Sequence, residues 1–203
     1  MELGQIISFL LVSAIFIAVP GPNILVIVST TLNSGKLRGL QTVAGTSLAM
    51  IVQLAIAALG TTLLLSTLSQ GLIWLKWCGV AYLLFLGISS LTAFFTHKKS
   101  KPPSATASIQ RGFWVSLTNP KTILFFSAFL PQFANADSAY LPQIAILSGS
   151  FLLLAVIIDS SYAIMSAKLK WLLASRDIDR LSNGVSGAFF ICAGGLLAST
   201  NRV

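Results

Sequence analysis

Asp159 is an acid in an otherwise apolar run, Leu152 to Ile164, interrupted besides only by serines and a tyrosine. A carboxylate at membrane depth is expensive and faces a partner or a wet cavity. Its chemistry is the binding and release of a proton, or the binding of an ammonium group. The structural alternative is a hydrogen bond to a neighbouring span, to Tyr162 or to a chain break at Asn119. Two such breaks are visible. Pro20-Gly21-Pro22-Asn23 lies inside an apolar stretch from Ile6 to Leu32. Two prolines and a glycine in three residues do not continue an α-helix. Asn119-Pro120-Lys121 reads as a helix restart, with asparagine as N-cap and proline at the first helical position. Each restart leaves unpaired backbone donors and a partial positive charge, which attract anions such as a substrate carboxylate. Lys121 adds a full positive charge. Against this stands a reading in which both prolines only kink packed helices and Lys121 snorkels to the cytoplasmic headgroups.

The elements that must hold these groups are membrane spans. The 203 residues are 55% hydrophobic and 9% charged, with mean hydropathy +0.87. Ordinary soluble domains carry about 25% charged residues. A span needs about 20 apolar residues. Six segments qualify: 3–33 (broken at Pro20), 40–66, 71–95, 112–134, 140–167 and 181–200. The expected fold is an all-α membrane protein of six transmembrane helices. The N-terminus lacks a basic region before its apolar run and is not expected to be a cleaved signal.

Charge fixes the expected topology. Lys36, Arg38, Lys98, Lys99, Lys101, Arg111, Lys168, Lys170, Arg176 and Arg180 fall on one side, against Lys76 and Arg202 on the other. That bias places the first group in the cytoplasm and both termini on the opposite face. The net charge of +8 is therefore a topology signal, and no nucleic-acid partner is expected.

The polar linker 96–110 divides one transporter domain, 1–203, into halves of about 1–95 and 111–203. Three spans per half is an odd number, so a duplication gives two inverted three-helix repeats, an arrangement common in secondary transporters. Traces of it survive. Gly79 to Gly87 and Gly187 to Gly195 both space glycines eight apart, with an aromatic, Tyr82 or Phe190, at the fourth place. Both first spans of the halves carry a break followed by a short apolar run.

At about 1.5 Å per residue, Pro22, Asn119 and Asp159 lie about 16, 11 and 12 Å from the cytoplasmic ends of their spans. They share a depth slightly to the cytoplasmic side of the midplane. Helix N-termini and Lys121 for a carboxylate, with Asp159 for an ammonium or proton, is amino-acid chemistry. The candidate substrate or proton-binding residues are Pro20, Gly21, Pro22, Asn23, Asn119, Pro120, Lys121 and Asp159. Gln53 lines the path or bonds between helices. The pairs Gly45/Ala49 and Gly184/Ala188 read as close helix packing. Trp74, Trp77, Trp114 and Trp171 suit an interfacial belt. His97 reads as a solvated linker residue.

Other classes find little. Cys78 and Cys192 lie in apolar runs and read as small buried hydrophobes; with one histidine they make no zinc site of familiar spacing. No metal and no cofactor is expected. An exporter of a metal or other inorganic cation needs more soft or carboxylate ligands than one deep Asp provides. An intramembrane enzyme needs a nucleophile with a base, and none is visible. A structural or sensory membrane protein would not need polar groups at one depth.

The same residues, taken together, resemble the LysE family of amino-acid exporters, also called the RhtB family. The resemblance rests on Val19 to Asn23, Gly35 to Leu40 and Gly45; on Lys76, Gly79, Ala81 to Leu83 and Leu86-Gly87; on Arg111 to Phe113, Asn119 to Lys121 and Phe129 to Phe133; and on Asp159 with the glycines of the sixth span. It covers nearly the whole chain. It implies a bacterial inner (plasma) membrane secondary transporter that exports amino acids or their derivatives, of the threonine, homoserine, lysine or leucine type, by proton antiport. It also implies a homo-oligomer. The short linker without acidic residues departs from the family pattern.

Overall fold

The structure, a computed structural model, describes residues 3–63, 68–96, 103–135, 139–173 and 177–199. His97, Lys98, Lys99, Lys101, Arg176 and Arg202 lie outside the described residues, as do the side chains of Trp74 and Lys76. Among the described residues the regular structure is entirely helical.

The first apolar stretch is two helices, α1 (Leu3–Ala18) and α2 (Pro22–Ser34), bent by 51° at the break. Gly21 is extended (φ −147°, ψ −173°) and Pro22 opens α2, where a missing N–H costs nothing. α2 ends at Gly35, whose φ of 88° favours glycine, with its N–H on the Thr31 carbonyl at 2.8 Å. α3 (Lys36–Leu63) and α4 (Leu68–Thr96) follow. α5 (Ala105–Leu117) is capped by the Ser104 hydroxyl on the Ala107 N–H. It starts inside the polar segment read as linker, because that cap and a run of helix-compatible residues carry the helix back by two turns.

After Thr118 and Asn119 the chain restarts as the short α6 (Pro120–Leu124). It then widens into a π-turn, Phe125–Phe129, and tightens into a 3₁₀ turn, Leu130–Phe133. The restart expected at Asn119-Pro120 is present, and the π-turn and 3₁₀ turn beyond it, which the sequence did not announce, divide the fourth span further, a π-turn being often met at functional positions. α7 (Tyr140–Leu173) and α8 (Asp177–Ser199) complete the chain. Two stretches, Lys36–Ala58 and Tyr140–Trp171, are long and apolar enough to cross a membrane singly, and α1 with α2 qualifies as a bent pair. The exposed surface carries Leu11, Ile15, Ile51, Phe85, Leu153, Ile157 and Val185. So much outward apolar surface belongs in lipid, and the chain is a multi-pass membrane protein.

The closest crossings join α3 to α5 and α4 to α8. Both are made by glycine. A Cβ on Gly45 would overlap the Ile109 carbonyl, and one on Gly112 the Thr42 carbonyl. Gly87 and Gly187 face each other's carbonyls in the same way at 3.1 and 3.0 Å. Gly184 packs against the Phe94 ring, but Ala188 is exposed, so the close pair on α8 is Gly184/Gly187 and not Gly184/Ala188. Cys78 and Cys192 are also exposed rather than buried. On a lipid-facing surface a thiol has no more need of burial than a leucine has. Trp77, Trp114 and Trp171 face outward, as belt residues do.

Two apolar cores form, one on either side of the breaks. One gathers Phe9 and Ile17 of α1, Met50 and Leu54 of α3, Phe125 and Phe126 of the π-turn, and Ile144, Leu147, Phe151 and Ala155 of α7. The other gathers Val26 and Ile27 of α2, Val43, Leu83, Leu86, Val115, Ala163 and Phe190. Each of four elements leaves one core and joins the other across a polar residue. Asn23 follows Ile17 and precedes Val26; Thr46 separates Val43 from Met50. Asn119 separates Val115 from Phe125, and Asp159 separates Ala155 from Ala163. The fold thereby sandwiches one polar layer between two dry ones.

Candidate functional site

The polar layer is held by hydrogen bonds between the two breaks. Asn119 accepts the Lys121 N–H on its Oδ1 at 3.0 Å, capping the restart. Its Nδ2 donates to Asn23 Oδ1 at 2.9 Å, and Asn23 Nδ2 donates to Ser116 Oγ at 3.1 Å. Gln53 Nε2 donates to the carbonyls of Ser116 and Leu117 at 2.9 and 3.1 Å. Those carbonyls are freed where α5 stops, so Gln53 closes the C-terminal side of the break as Asn119 closes the N-terminal side. Gln53 is therefore a bond between helices; its Oε1 is buried without a partner.

The other break is closed by side chains from distant segments. The last turn of α1 leaves carbonyls unpaired once Pro20 and Gly21 depart from the helix. Tyr162 Oη donates to Ala18 O at 2.8 Å, and Lys121 Nζ donates to Val19 O at 2.6 Å. Lys121 also lies 4.6 Å from the centre of the Phe16 ring, a cation–π distance. It is half-buried. Lys121 thus borders the cavity while its ammonium reaches a carbonyl exposed at the bundle surface, a placement compatible with both readings open for it.

Beside these groups lies a cavity of about 20 Å³. Its polar wall is Asn23, Asn119, Lys121, Thr122 and Asp159, with Gly21 at the break; its apolar wall is Phe16, Ile17, Val19, Ile24, Met50 and Phe151. Five of the eight candidate residues, Gly21, Asn23, Asn119, Lys121 and Asp159, thus meet around one space. Pro20, Pro22 and Pro120 do not line it: Pro20 is exposed, and Pro22 and Pro120 set the first turns of their helices. Asp159 is only 2% exposed. Tyr162 is engaged at Ala18 and not at Asp159, and the Thr46 hydroxyl beside the carboxyl donates to the Val43 carbonyl at 2.9 Å. Lys121 and Asp159 line the same cavity and sense each other's charge, yet no ion pair within 4.0 Å joins them.

Sequence reading missed Thr46 and the apolar wall. Thr46 falls four residues before Met50 and seven before Gln53, so one helical stripe of α3 faces the site. The polarity of Thr46 and Gln53 at that spacing was the available signal. Nothing in the local sequence distinguishes Phe16 or Phe151 from other core aromatics. Among the described residues no group of three His, Cys, Asp or Glu side chains converges on a point that could hold a metal ion.

No solved structure matches the chain. Its sequence does find relatives. It is 28% identical over 199 residues to a homoserine/homoserine lactone efflux protein of Salmonella typhimurium, and the match covers 96% of each chain. The protein of the same name in Salmonella typhi is 29% identical over 199 residues, again 96% of each chain. An uncharacterised membrane protein of Vibrio cholerae is 27% identical over 205 residues, covering 98% of each. Residues 14–201, which hold both breaks, Asp159 and every residue of the cavity wall, match the LysE type translocator family. The chain belongs to that family of LysE type translocators.

Proposed function

We propose that this protein is a secondary transporter that exports amino acids or amino-acid derivatives across a bacterial inner membrane by proton antiport. One observation carries the reading. A cation and a carboxylate, Lys121 and Asp159, face one cavity without neutralising each other. Two opposite charges held apart in a membrane interior are complementary to a zwitterion, whose carboxylate meets the lysine and whose ammonium meets the aspartate. When the ammonium leaves, a proton replaces it on Asp159, which couples the two fluxes. The apolar wall of Phe16, Ile17, Met50 and Phe151 receives a short aliphatic side chain. Homoserine and its lactone are the first probes, because two relatives are named for their efflux.

In this reading six spans cross the membrane: α1 with α2, α3, α4, the broken α5-to-Phe133 segment, α7 and α8. The two halves are inverted repeats. The close packing of α4 on α8, its counterpart in the other half, supports this. The basic ends of the spans face the cytoplasm and the termini lie outside. The cavity has room for about one water molecule, far less than an amino acid needs, so substrate binding in this reading requires the site to widen.

The test is transport in proteoliposomes with the cytoplasmic face outward. Labelled homoserine is expected to accumulate inside when the lumen is made acidic, and to stop doing so when the gradient is collapsed. If homoserine, threonine, lysine and leucine all fail to move while an inorganic cation does, the cargo is the cation and the zwitterion reading falls.

A further inference from the structure

A second charged group, away from the cavity, has no protein partner. Arg111 lies on α5, half-buried, with its Nε sealed from solvent and without a hydrogen-bond partner. No acid pairs with it among the described residues. The titratable group it senses is the Tyr82 phenol on α4, itself a donor. A guanidinium offers five donors and no acceptor, and burying it without an anion is costly. A guanidinium whose Nε is unmet is complementary to an anion, and the Tyr82 hydroxyl, which donates as well as accepts, can help to hold one.

The placement of Arg111 says which anion. Arg111 and Val115 lie four apart on one face of α5, and Asn119 caps the restart just beyond the end of that helix at Leu117. At about 1.5 Å per residue, Arg111 stands about 9 Å from that end. Asn119 lines the cavity. Between them Val115 is fully buried and packs with Ile27, Leu83 and Phe190, a dry barrier. Resting on the export reading and its topology, Arg111 is on the cytoplasmic approach. We propose that Arg111, with Tyr82, is a carboxylate-binding station where substrate from the cytoplasm docks before the Val115 barrier opens to the cavity. Arginine suits the task because its planar fork matches a carboxylate.

Homoserine lactone, which has no free carboxylate, separates this station from a structural role. Transport of labelled homoserine and of the lactone is measured into the same proteoliposomes, normalised to inserted protein, for wild type, Arg111→Gln and Arg111→Lys. Arg111→Gln is expected to raise the half-saturating homoserine concentration about tenfold or more. The lactone value should stay within about twofold of wild type. Arg111→Lys, which keeps the charge but loses the fork, should fall between. Equal losses for both probes would overturn the proposal and leave Arg111 structural, as would an unchanged half-saturating homoserine concentration in Arg111→Gln. A homoserine defect that appears only in vesicles containing anionic lipid, and vanishes in vesicles of phosphatidylcholine alone, would assign Arg111 to an anionic headgroup instead, and also overturns it. If wild type moves neither probe while the inorganic-cation arm is positive, the export reading has failed and the station with it.

Discussion

The bond between the two breaks should be measurable as a coupling energy. Asn119 is 1% exposed and holds both Asn23 Oδ1 and the Lys121 N–H. Replacing it by leucine, of similar size, strands both groups away from water. A lost N-cap costs about 1 kcal/mol, and an orphaned buried acceptor about 1–3 kcal/mol. Asn23→Leu strands Asn119 Nδ2 in its turn, while the Ser116 hydroxyl, one turn into its own helix, can still use a backbone carbonyl. The double variant removes both ends of the 2.9 Å bond at once, so neither amide is stranded by the other. The sum of the single losses should therefore exceed the double loss. Cycles across membrane helices average about 0.6 and reach about 1.7 kcal/mol. This fully buried pair at the crossing of two breaks should fall in the upper half of that range. The measurement is reversible unfolding of the four proteins in mixed micelles of rising denaturing-detergent fraction. Additivity within about 0.3 kcal/mol would mean that the two breaks are stabilised separately, and the argument that they form one unit would be wrong.

Three further outcomes follow from the same geometry. Asp159→Asn should insert normally but lose proton-driven accumulation of homoserine in cytoplasm-out vesicles; gradient-driven transport at the wild-type rate would remove Asp159 from coupling. Gly112→Ala forces a Cβ against the Thr42 backbone, whereas nothing lies within 4 Å of a Cβ at Gly149. Micelle unfolding should show a loss of about 1–3 kcal/mol for the first and no loss, or a gain of up to about 1 kcal/mol, for Gly149→Ala in mid-helix; equal effects would contradict the glycine crossing of α3 and α5. Tyr162→Phe leaves the Ala18 carbonyl without its donor at the end of α1. Amide exchange of residues 16–19 should rise relative to that of α7, and unchanged exchange there would show that the hydroxyl is not what secures the break.

How far the site could be read beforehand depended on how each residue signals itself. Asp159 stood out because an acid is costly in an apolar run, and both breaks stood out because proline and glycine act on their own backbone. Those signals are local, and depth reckoned along each span placed Pro22, Asn119 and Asp159 at a similar level. What stayed hidden in the fourth span was the change of helix type after its restart, because that departure is collective. The π-turn at Phe125–Phe129 aims Phe125 and Phe126 at Phe151 and Phe9, and no single residue there forbids an α-helix. The cysteines misled for a different reason. Apolar surroundings in sequence mean burial in a soluble protein, but in lipid they describe the outside equally well. The partners of Lys121 and Tyr162 were hidden because they are carbonyls of Val19 and Ala18, more than a hundred residues away in sequence and carrying no side-chain identity.

Those last two bonds explain why a lysine is at the site at all. A helix that stops inside a membrane leaves carbonyls that lipid cannot satisfy. At the end of α5 the amide of Gln53 is enough, because Ser116 and Leu117 turn toward the interior. At the end of α1, Ala18 and Val19 are exposed at the surface of the bundle, and a donor must reach them from within. Lysine has the length, and three donors of which Val19 takes one. The same ammonium therefore stabilises the broken backbone of the first half and presents positive charge to the cavity from the second. A neutral donor such as glutamine at position 121 would serve the first role alone. The break and the charge are for that reason one device: the Val19 carbonyl exposed at the break holds the Lys121 ammonium beside the cavity that Asp159 also lines.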